Sequence, residues 1–539
     1  MNANATREKT TGRNRSRFHL FPQESEIPAG ARFDAPFQPM TYLIGGRSST
    51  WKGASSPVYS PIYIRKGARL CRTPLGRSPS LTAREALRAL EAARGAFNNG
   101  RGEWPGLPSS GRIACIESFL SGLVRKKGII LNSLLWEIAK PRLELEDELR
   151  RTVDYSRRIQ AAAGALETQD RTVLTDKGIL GIIRHEPLGV SLCMGPYNYP
   201  LFETLSLVMA SLVMGNTVII KPPRFGVLFF HHLIEDFRRS FPAGVVNVIF
   251  GEGPDIIEPL MRSGEIDVFA FVGSAKTANN LIGLHPRKNR LRNLLGLEAK
   301  NAAIVLPDAN LDTTVAESLL GSLAFNGQRC AALKIFFVHK DILEPFLKRM
   351  ADGLAAVRIG MPWTRGVRIT PMADPERIPY LDALCREAEE HGGRVLNKGG
   401  GTFLKSIFFP TLISPVNSKM RLFHEEQFGP IIPVVPYDDL SLPLRYVSRS
   451  KFGQQVSVFG EDFDSLVRAL DSLRCQVSRV NINTKCQRGP DSFPFSGRKD
   501  SALGDFSSAE ILGIFSAKST VAARENPANA RLFRKINWS

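Results

Sequence analysis

The sequence lacks the features that mark membrane-spanning, disulfide-rich and zinc-binding proteins. Its best apolar stretch, Leu205 to Met214, stops at Gly215 and falls short of the roughly 18 residues that a membrane-spanning helix needs. The seven cysteines stand singly, without a CxxC motif, which excludes a disulfide framework and a standard zinc site, so no metal is expected. Hydrophobic residues at 43% and charged residues at 23% occur at ordinary globular frequencies and exclude wholesale disorder. We therefore expect a soluble protein of a reducing compartment.

Acidic residues are scarce relative to basic ones. The chain has 71 Lys and Arg against 52 Asp and Glu, a formal net charge of +19 over 539 residues. Such an excess is typical of nucleic-acid binding, and residues 285–292 form a basic run. However, no aromatic residues are interleaved with these cations and no nucleic-acid-binding module is recognisable. We therefore expect no nucleic-acid partner.

Both ends of the chain are predicted to be tails. Residues 1–40 begin with a basic segment that has no apolar core, so they do not form a secretory signal. Such a segment also fits an organelle transit peptide, which we keep as an alternative to a tail on a cytoplasmic protein. Residues 525–539 are again rich in arginine and predict a second tail.

Four short apolar runs in the middle of the chain predict buried strands. Each run stops at a segment with Gly or Pro, and helical patterns lie between them; the runs are Val190–Met194, Thr217–Ile220, Val245–Phe250 and Val268–Val272. Strand–turn–helix units of this kind predict a parallel sheet covered on both faces. In such sheets ligands bind where the strands end. The pattern therefore indicates a nucleotide-binding half.

The flanking regions also alternate between helical and strand patterns. Upstream, helical spacing predicts helices over Leu81–Asn98, Arg112–Lys127 and Leu131–Ile159. Downstream, a second block begins near Asn301 and contains further short apolar runs such as Ile335–Val338. This block is again predicted to be α/β.

Two residues could carry covalent chemistry. Cys330 follows a Gly-containing loop, and the neighbouring Arg329 would favour its nucleophilic thiolate form; a buried structural cysteine is the alternative. Asn198 follows a buried strand, where its amide could stabilise an oxyanion; an Asn that closes a turn is the alternative.

Charged and small residues at the other strand ends could bind a nucleotide. Lys221 and Arg224 could hold a ribose or a phosphate, or could be merely solvated. Gly273 and Ser274 open a helix, whose amino end attracts phosphate. Glu426 belongs to a pair of carboxylates that could equally be surface charge.

Taken in order, these segments resemble the aldehyde dehydrogenase superfamily from about Tyr42 to Arg524. The motifs that carry the resemblance are Pro196–Pro200, Lys221-Pro222, Phe271–Ser274, Gly327–Cys330, Glu425–Pro430 and Pro494–Gly497. Within the superfamily the chain looks most like the non-phosphorylating, NADP-dependent glyceraldehyde-3-phosphate dehydrogenases. The segments that fit this branch are Glu103–Pro105, Arg151-Thr152, Asn198-Tyr199, Gln328–Cys330 and Cys486–Asp491.

The resemblance implies a thioester mechanism. Cys330 would attack the aldehyde, its backbone N–H and Asn198 would hold the oxyanion, hydride would pass to a nicotinamide, and water would release the acid. The implied cofactor-binding residues are Lys221, Arg224, Gly273, Ser274, Glu426 and Phe428. The implied substrate-binding residues are Arg151, Tyr199, Arg329 and Arg488; three guanidiniums suit a phosphate dianion. NAD-preferring relatives carry Glu at the position of Arg224, so NADP is expected in preference to NAD.

The chain departs from the family pattern at the general base. The motif Glu-Leu-Gly-Gly-Lys supplies that base from its first residue, which aligns with Gly296, while an acid stands two positions later at Glu298. Three readings stay open. Glu298 could serve as the base, Glu426 could activate water instead, or deacylation could be slow in a chain with another role.

The resemblance also implies an architecture and an activity. The expected fold is α/β, with a Rossmann-type cofactor domain over 41–165 and 187–299 and an α/β catalytic domain over 300–500. A small β element over 166–186 and 501–524 would drive self-association as a dimer or tetramer. The expected reaction is NADP-dependent oxidation of glyceraldehyde 3-phosphate to 3-phosphoglycerate without inorganic phosphate. Another anionic aldehyde or semialdehyde, or a catalytically impaired NADP-binding relative, are the alternatives.

Overall fold

The computed structural model describes residues 18–33, 37–38 and 40–536. Its strands are β1 Thr41–Ile44, β2 Arg47–Thr50, β3 Ser55–Lys66, β4 Arg69–Pro79, β5 Val173–Asp176, β6 Ile179–Pro187, β7 Val190–Met194, β8 Thr217–Ile220, β9 Val246–Val248, β10 Val268–Val272, β11 Arg292–Gly296, β12 Ala302–Val305, β13 Ile335–His339, β14 Arg394–Val395, β15 Phe403–Leu404, β16 Ile407–Phe408, β17 Thr411–Ser414, β18 Ile431–Tyr437, β19 Phe452–Gly453, β20 Gln455–Phe459, β21 Arg479–Ile482, β22 Arg498–Lys499, β23 Ala502–Leu503 and β24 Ser516–Arg524.

Helices pack around these strands. They are α1 Ala83–Phe97, α2 Glu103–Gly106, α3 Ser109–Arg125, α4 Lys127–Ile138, α5 Arg142–Asp170, α6 Phe202–Val213, α7 Ile234–Ser240, α8 Gly253–Ser263, α9 Ala275–Leu284, α10 Leu311–Leu323, α11 Lys340–Ala355, α12 Arg377–Glu390, α13 Arg421–His424, α14 Ser441–Arg449, α15 Phe463–Leu473, α16 Ile511–Ile514 and α17 Pro527–Ile536. Within the described residues, no helix combines the length and apolar character that crossing a bilayer requires.

The first sheet contains the four strands that the apolar runs predict. Its order is β2-β1-β9-β8-β7-β10-β11-β23, and β9, β8, β7, β10 and β11 run parallel. Strands β7 and β8 are buried throughout, as expected for a sheet covered on both faces. The prediction of a parallel sheet is confirmed. The ends of β7, β8 and β10 therefore lie along one edge, which brings Gly195, Lys221 and Gly273 to the same side of the sheet.

One helix prediction is wrong. The pattern over Leu131–Ile159 predicts a single helix, but the structure has two, because α4 ends at Ile138 and α5 begins at Arg142. Ala139 takes a left-handed backbone conformation with φ of 50°, and Pro141 stands immediately before the second helix. Proline lacks the N–H of a helix interior and clashes with the preceding turn, so it ends one helix and suits the start of another.

The second block of the chain forms its own sheet. The strand order is β14-β17-β18-β13-β12-β20-β21, and the pairs from β17 to β21 are parallel. The chain passes from the first sheet to the second between Gly296 at the end of β11 and Ala302 at the start of β12. Glu298 lies in this crossing. The α/β class expected for both halves is confirmed.

A small sheet with the order β24-β6-β5 carries a helix that the sequence does not predict. Residues 525–539 are expected to be a tail, but α17 forms there, and Phe533 is buried against Leu180 and Ile182. Residues 537–539 lie outside the described residues. An isolated ten-residue amphipathic helix is marginal in water, so packing onto the sheet supplies its stability.

The described part of the amino end also packs against the protein instead of extending as a tail. Three short 3-10 turns lie between Phe18 and Ala31, and Phe21 is fully buried. Arg65 of β3 donates two hydrogen bonds of 2.9 Å to the carboxylate of Glu26. The basic residues that suggest a tail or a transit peptide all lie in residues 1–17, outside the described part of the chain.

Candidate active site

The strand ends of the first sheet and loops of the second sheet surround one cavity of about 680 Å³. It is lined by the end of β10 and β11 on one side and by the loops that precede β13 and β18 on the other. Most residues singled out in the sequence line this cavity, namely Arg151, Asn198, Tyr199, Gly273, Ser274, Glu298, Arg329, Cys330, Glu426, Phe428 and Arg488. Lys221 and Arg224 do not line it.

Cys330 lies on a tightly held loop before β13. Phe325 and Asn326 have left-handed backbones with φ of 45° and 57°, and both are buried. Asn326 exchanges hydrogen bonds with the backbone of Thr370, at 3.0 Å as donor and 2.9 Å as acceptor. The Cys330 carbonyl accepts hydrogen bonds from Asn301 Nδ2 at 2.8 Å and Lys334 Nζ at 3.1 Å. The backbone of the cysteine is therefore fixed before any ligand binds.

The electrostatic surroundings of Cys330 differ from the sequence expectation. Burial raises the pKa of the thiol, and the negative charge of Glu203 raises it further, whereas Lys334 lowers it. The neighbouring Arg329, expected to favour the thiolate, interacts with Cys330 electrostatically but is not among the largest influences on the thiol pKa. The thiol form is favoured in the protein as it stands, because a buried anion beside a carboxylate is costly.

Asn198 is held beside the cysteine loop by contacts that the sequence does not reveal. Its side-chain Nδ2 donates to the backbone carbonyl of Gln328 at 2.7 Å, and the backbone carbonyl of Asn198 accepts from Lys140 Nζ at 3.0 Å. Lys140 is fully buried and pairs with the equally buried Glu148 at 2.6 Å. Glu148 in turn accepts from the backbone N–H of Leu201 at 3.1 Å. Lys140 and Glu148 thus orient the turn that contains Asn198. In the sequence, the signal that could have identified these two residues is their charge within an apolar helical pattern.

Glu426 is enclosed by buried lysines. It forms an ion pair with Lys334, whose Nζ also donates to the Ala299 carbonyl at 3.0 Å. Burial raises the pKa of Glu426, and Lys334 opposes that shift. Lys300 donates to Gln427 Oε1 at 2.7 Å, and burial, together with Lys334, holds its pKa well below its usual value. The sequence analysis used Lys300 only to align the general-base motif and did not single out Lys334, so it assigned a role to neither lysine.

Phe428 lines the cavity near the ion pair of Glu426 and Lys334. Its backbone is left-handed, with φ of 44°, and its ring lies 5.6 Å from Lys334 Nζ and 6.1 Å from the ring of Tyr197. A left-handed conformation costs a non-glycine residue of order 1 kcal/mol or more, and such strain is common at ligand sites. The conformation lets Phe428 and Glu426 face the same cavity.

Glu298 lies at the amino end of α9. Its Oε2 accepts a hydrogen bond from the Ala275 backbone N–H at 2.8 Å, the first residue of that helix. At Gly296 a Cβ atom would lie 3.3 Å from both Phe506 and Val272, which is close contact. A Cβ at the position where the family pattern has its base would thus require Phe506 and Val272 to shift slightly, and both Gly296 and the acid two residues later, Glu298, line the cavity.

Two of the three predicted substrate arginines have carboxylate partners. Arg151 donates two hydrogen bonds to Asp491, at 3.0 Å and 2.5 Å. Arg488 forms an ion pair with Glu203, an acid in the first turn of α6. The side chain of Arg329 makes no hydrogen bond or ion pair with any residue that the structure describes. Sequence reasoning missed Glu203 as a partner, although a lone acid in an apolar helical pattern was a signal.

Lys221 and Arg224 follow β8 along the same edge of the sheet. Lys221 is half-buried; burial of its ammonium lowers the pKa, the charge of Glu252 opposes this shift, and the side chain has no hydrogen bond or ion pair within the described ranges. Arg224 is exposed, with its guanidinium 5.4 Å from the ring of Phe225. A half-buried cation without an ion pair and the helix start at Ser274 together fit a ligand that carries phosphates and hydroxyls, such as a dinucleotide.

Comparison with known proteins decides the family. Residues 66–521 match the model of the aldehyde dehydrogenase family. The chain belongs to the aldehyde dehydrogenase family. The fold agrees, since the structure of an NADP-dependent glyceraldehyde-3-phosphate dehydrogenase from Bacillus halodurans, complexed with NADP, superposes with a TM-score of 0.82. That structure is 28% identical and covers 91% of this chain and 100% of its own.

Two similar aldehyde dehydrogenases known by sequence carry the same name. The NADP-dependent glyceraldehyde-3-phosphate dehydrogenase of Triticum aestivum is 27% identical over 467 residues, 84% of this chain and 90% of the wheat enzyme. That of Streptococcus equinus is 32% identical over 331 residues, 60% of this chain and 67% of its own length. The chain is thus an aldehyde dehydrogenase, an oxidoreductase, and it has the fold of that family. No group of three or more potential metal ligands occurs among its described residues.

Proposed function

We propose that this aldehyde dehydrogenase oxidises glyceraldehyde 3-phosphate to 3-phosphoglycerate with NADP and without inorganic phosphate. The observation that carries the proposal is the meeting of Cys330 and Asn198 with Arg151, Arg329 and Arg488 in one cavity. A nucleophile beside clustered guanidiniums suits an aldehyde that carries a phosphate. The names of the wheat and streptococcal relatives support the same substrate.

In the proposed reaction Cys330 is the nucleophile. After its proton passes to solvent, the Cys330 sulfur forms a bond to the aldehyde carbon, and the resulting oxyanion is stabilised by the Cys330 backbone N–H and the second amide hydrogen of Asn198. A bound nicotinamide supplies the acceptor for the hydride that leaves this carbon, and the thiohemiacetal becomes a thioester. Attack by water then breaks the carbon–sulfur bond, releases the carboxylic acid and returns the thiolate.

We assign activation of that water to Glu298. Four carboxylates line the cavity, and three of them are already in ion pairs: Glu203 with Arg488, Glu425 with Arg421 and Glu426 with Lys334. Glu298 has only a backbone N–H as partner, and its Oε1 has no hydrogen bond to the described residues. A carboxylate that is not held in an ion pair has an oxygen free to accept a hydrogen bond from water and then its proton, which a general base requires.

The residues that would hold NADP lie along the edge of the first sheet. We propose that Gly273, Ser274 and the start of α9 bind the pyrophosphate, since helix amino ends attract anions. Lys221 and Glu426 would bind the ribose hydroxyls, and Phe428 would contact the nicotinamide. The exposed guanidinium of Arg224 is available to a 2′-phosphate, which favours NADP over NAD.

Self-association through the small sheet is part of the same proposal. The nine residues of β24 pair on one side with β6 and are mostly exposed. A long unpaired edge strand is a surface on which another chain can add. We propose that residues 166–186 and 501–524 mediate a dimer or tetramer, measurable by sedimentation of the purified protein.

An initial-rate assay tests the main proposal. The purified protein is given glyceraldehyde 3-phosphate with NADP or NAD in a buffer without phosphate, and both reduced cofactor and 3-phosphoglycerate are measured. We expect NADP to be reduced faster than NAD, with equal amounts of acid formed. Binding of NADP without turnover of any aldehyde would contradict the proposal and indicate an impaired relative.

A second substrate class is favoured by one observation. Glu203 and Asp491 offset the charges of Arg488 and Arg151, so of the three guanidiniums only that of Arg329 forms no ion pair within the described structure. A singly charged carboxylate needs less positive charge than a phosphate dianion. If succinic semialdehyde is oxidised far faster than glyceraldehyde 3-phosphate in the same assay, the substrate is a semialdehyde.

A further inference from the structure

The substrate end of the cavity contains an ion pair between Glu203 and Arg488. Their side chains are only 10% and 5% exposed, and they come from the first turn of α6 and from the segment after β21. Both line the same cavity as Cys330. A buried carboxylate is unexpected in a pocket for an anionic aldehyde, because it repels the substrate's charge.

Arg488 is fixed in this position by aromatic rings. Its guanidinium lies 4.5 Å from the ring centre of Phe202 and 5.0 Å from that of Phe495, and Nη2 donates to the Phe506 carbonyl at 3.3 Å. The Arg488 Nε has no hydrogen-bond partner. The arginine therefore stays beside the cavity whether or not Glu203 is charged, since the rings and the carbonyl hold it independently.

The two carboxylates at this end are not equivalent. Asp491 pairs with Arg151, lies 3.8 Å from Arg488 Nε and does not line the cavity, whereas Glu203 does. After burial, the charge of Glu203 is the largest influence on the pKa of the Cys330 thiol, and Asp491 is not among the main influences. Glu203 is therefore the carboxylate whose charge reaches both the nucleophile and a ligand in the cavity.

We propose that Glu203 is a specificity-determining residue, which offsets the charge of Arg488 and so limits the preference of the pocket for a phosphate dianion over singly charged and uncharged aldehydes. The inference rests on the proposed function, which identifies this part of the cavity as the place where the aldehyde substrate binds. It does not depend on turnover, because it concerns the binding of charge. With Glu203 in place, the three predicted substrate arginines face two carboxylates, Glu203 and Asp491. With an uncharged residue in its place, they face Asp491 alone.

The variant Glu203→Gln tests the proposal, since glutamine keeps a hydrogen-bond acceptor for Arg488 and removes one negative charge. Binding of glycerol 3-phosphate, an unreactive phosphate, is measured by calorimetry on the full chain. We expect its Kd to fall by about tenfold, because a like charge close to a buried ligand is removed. Binding of uncharged glycerol should change little. An unchanged or weaker affinity for glycerol 3-phosphate would overturn the proposal.

Asp491→Asn is the matched control. It removes a carboxylate from the same network but outside the cavity, so it should strengthen glycerol 3-phosphate binding less than Glu203→Gln does. A second readout is the pH dependence of Cys330 alkylation by iodoacetamide. It should move to lower pH in Glu203→Gln and stay in place in Asp491→Asn, because of these two carboxylates only Glu203 is among the main influences on the thiol pKa. Equal shifts in the two variants would contradict the assignment.

The unaltered protein provides a test that does not depend on the folding of a variant. Its Kd for glycerol 3-phosphate is compared with that for glycerate, which carries one charge on a carboxylate. We expect glycerol 3-phosphate to bind less than about tenfold more tightly than glycerate, since the carboxylates largely offset the positive charge of the arginines. A preference above about a hundredfold would overturn the proposal. Failure to oxidise glyceraldehyde 3-phosphate would refute the proposed function alone, because both binding measurements are made without reaction.

Discussion

The substrate end of the cavity and the adjoining cofactor end, which is the edge of the first sheet after β8, differ in how their cations are paired. At the substrate end, Arg151 and Arg488 each have a carboxylate partner, so their geometry is set before a ligand arrives. At the cofactor end, Lys221 is half-buried with no hydrogen bond or ion pair in the described structure, and Arg224 is exposed. A cation without a counter-ion contributes more binding free energy to an anionic ligand than a cation whose charge a carboxylate already offsets. Changes of ligand charge should therefore matter more at the cofactor end.

The largest effect is expected where the two ends meet, at Cys330. Cys330→Ala should lower turnover by at least about 10³-fold, because the covalent route is lost, while NADP still binds. Turnover is measured by cofactor reduction, and NADP binding by fluorescence titration. Cys475→Ala, at an exposed cysteine, is the control and should keep the wild-type rate. Turnover that survives in Cys330→Ala would mean that another group attacks the aldehyde.

The next effect concerns Glu298, which lies between the two ends. Glu298→Gln should slow steady-state turnover by about 10²-fold or more, because a general base typically contributes that much. The first turnover should remain fast, so rapid mixing should show a burst of reduced cofactor and mass spectrometry an acylated Cys330. The control is Glu425→Gln, a cavity carboxylate paired with Arg421, which should deacylate normally. If Glu298→Gln shows no burst, Glu298 acts before the thioester forms.

A smaller effect is expected at Arg224, and it isolates the cofactor end. Arg224→Ala should raise the Kd for NADP by about tenfold and leave that for NAD unchanged, because an exposed charge pair with the 2′-phosphate is lost. Arg224→Lys preserves the positive charge and should keep most of the preference. Binding is measured by fluorescence titration at low and physiological salt, since an exposed interaction weakens with salt. Equal losses for NADP and NAD would show that Arg224 does not contact the 2′-phosphate.

Local sequence patterns predicted the elements that build the cofactor end. The runs that became β7, β8 and β10 are short, apolar and bounded by Gly or Pro, and these properties are sufficient to specify a buried parallel strand. Where the local signal was incomplete, prediction failed. The single helix expected across Pro141 is two helices, and the tail expected after residue 525 contains α17. The stability of α17 comes from Phe533 packing on another segment, which no local pattern contains.

The sequence by itself determined the α/β class, the family, and the identity of Cys330, Asn198 and the arginines as candidates. Only the tertiary structure decided which charges pair. Glu203 and Arg488 are 285 residues apart in the chain, and Arg151 and Asp491 are 340 residues apart. Whether a guanidinium is available to a substrate depends on whether a carboxylate from a distant segment of the chain forms an ion pair with it in the folded protein. That contact is made by folding and has no periodicity or motif, so it could not be predicted from the order of the residues.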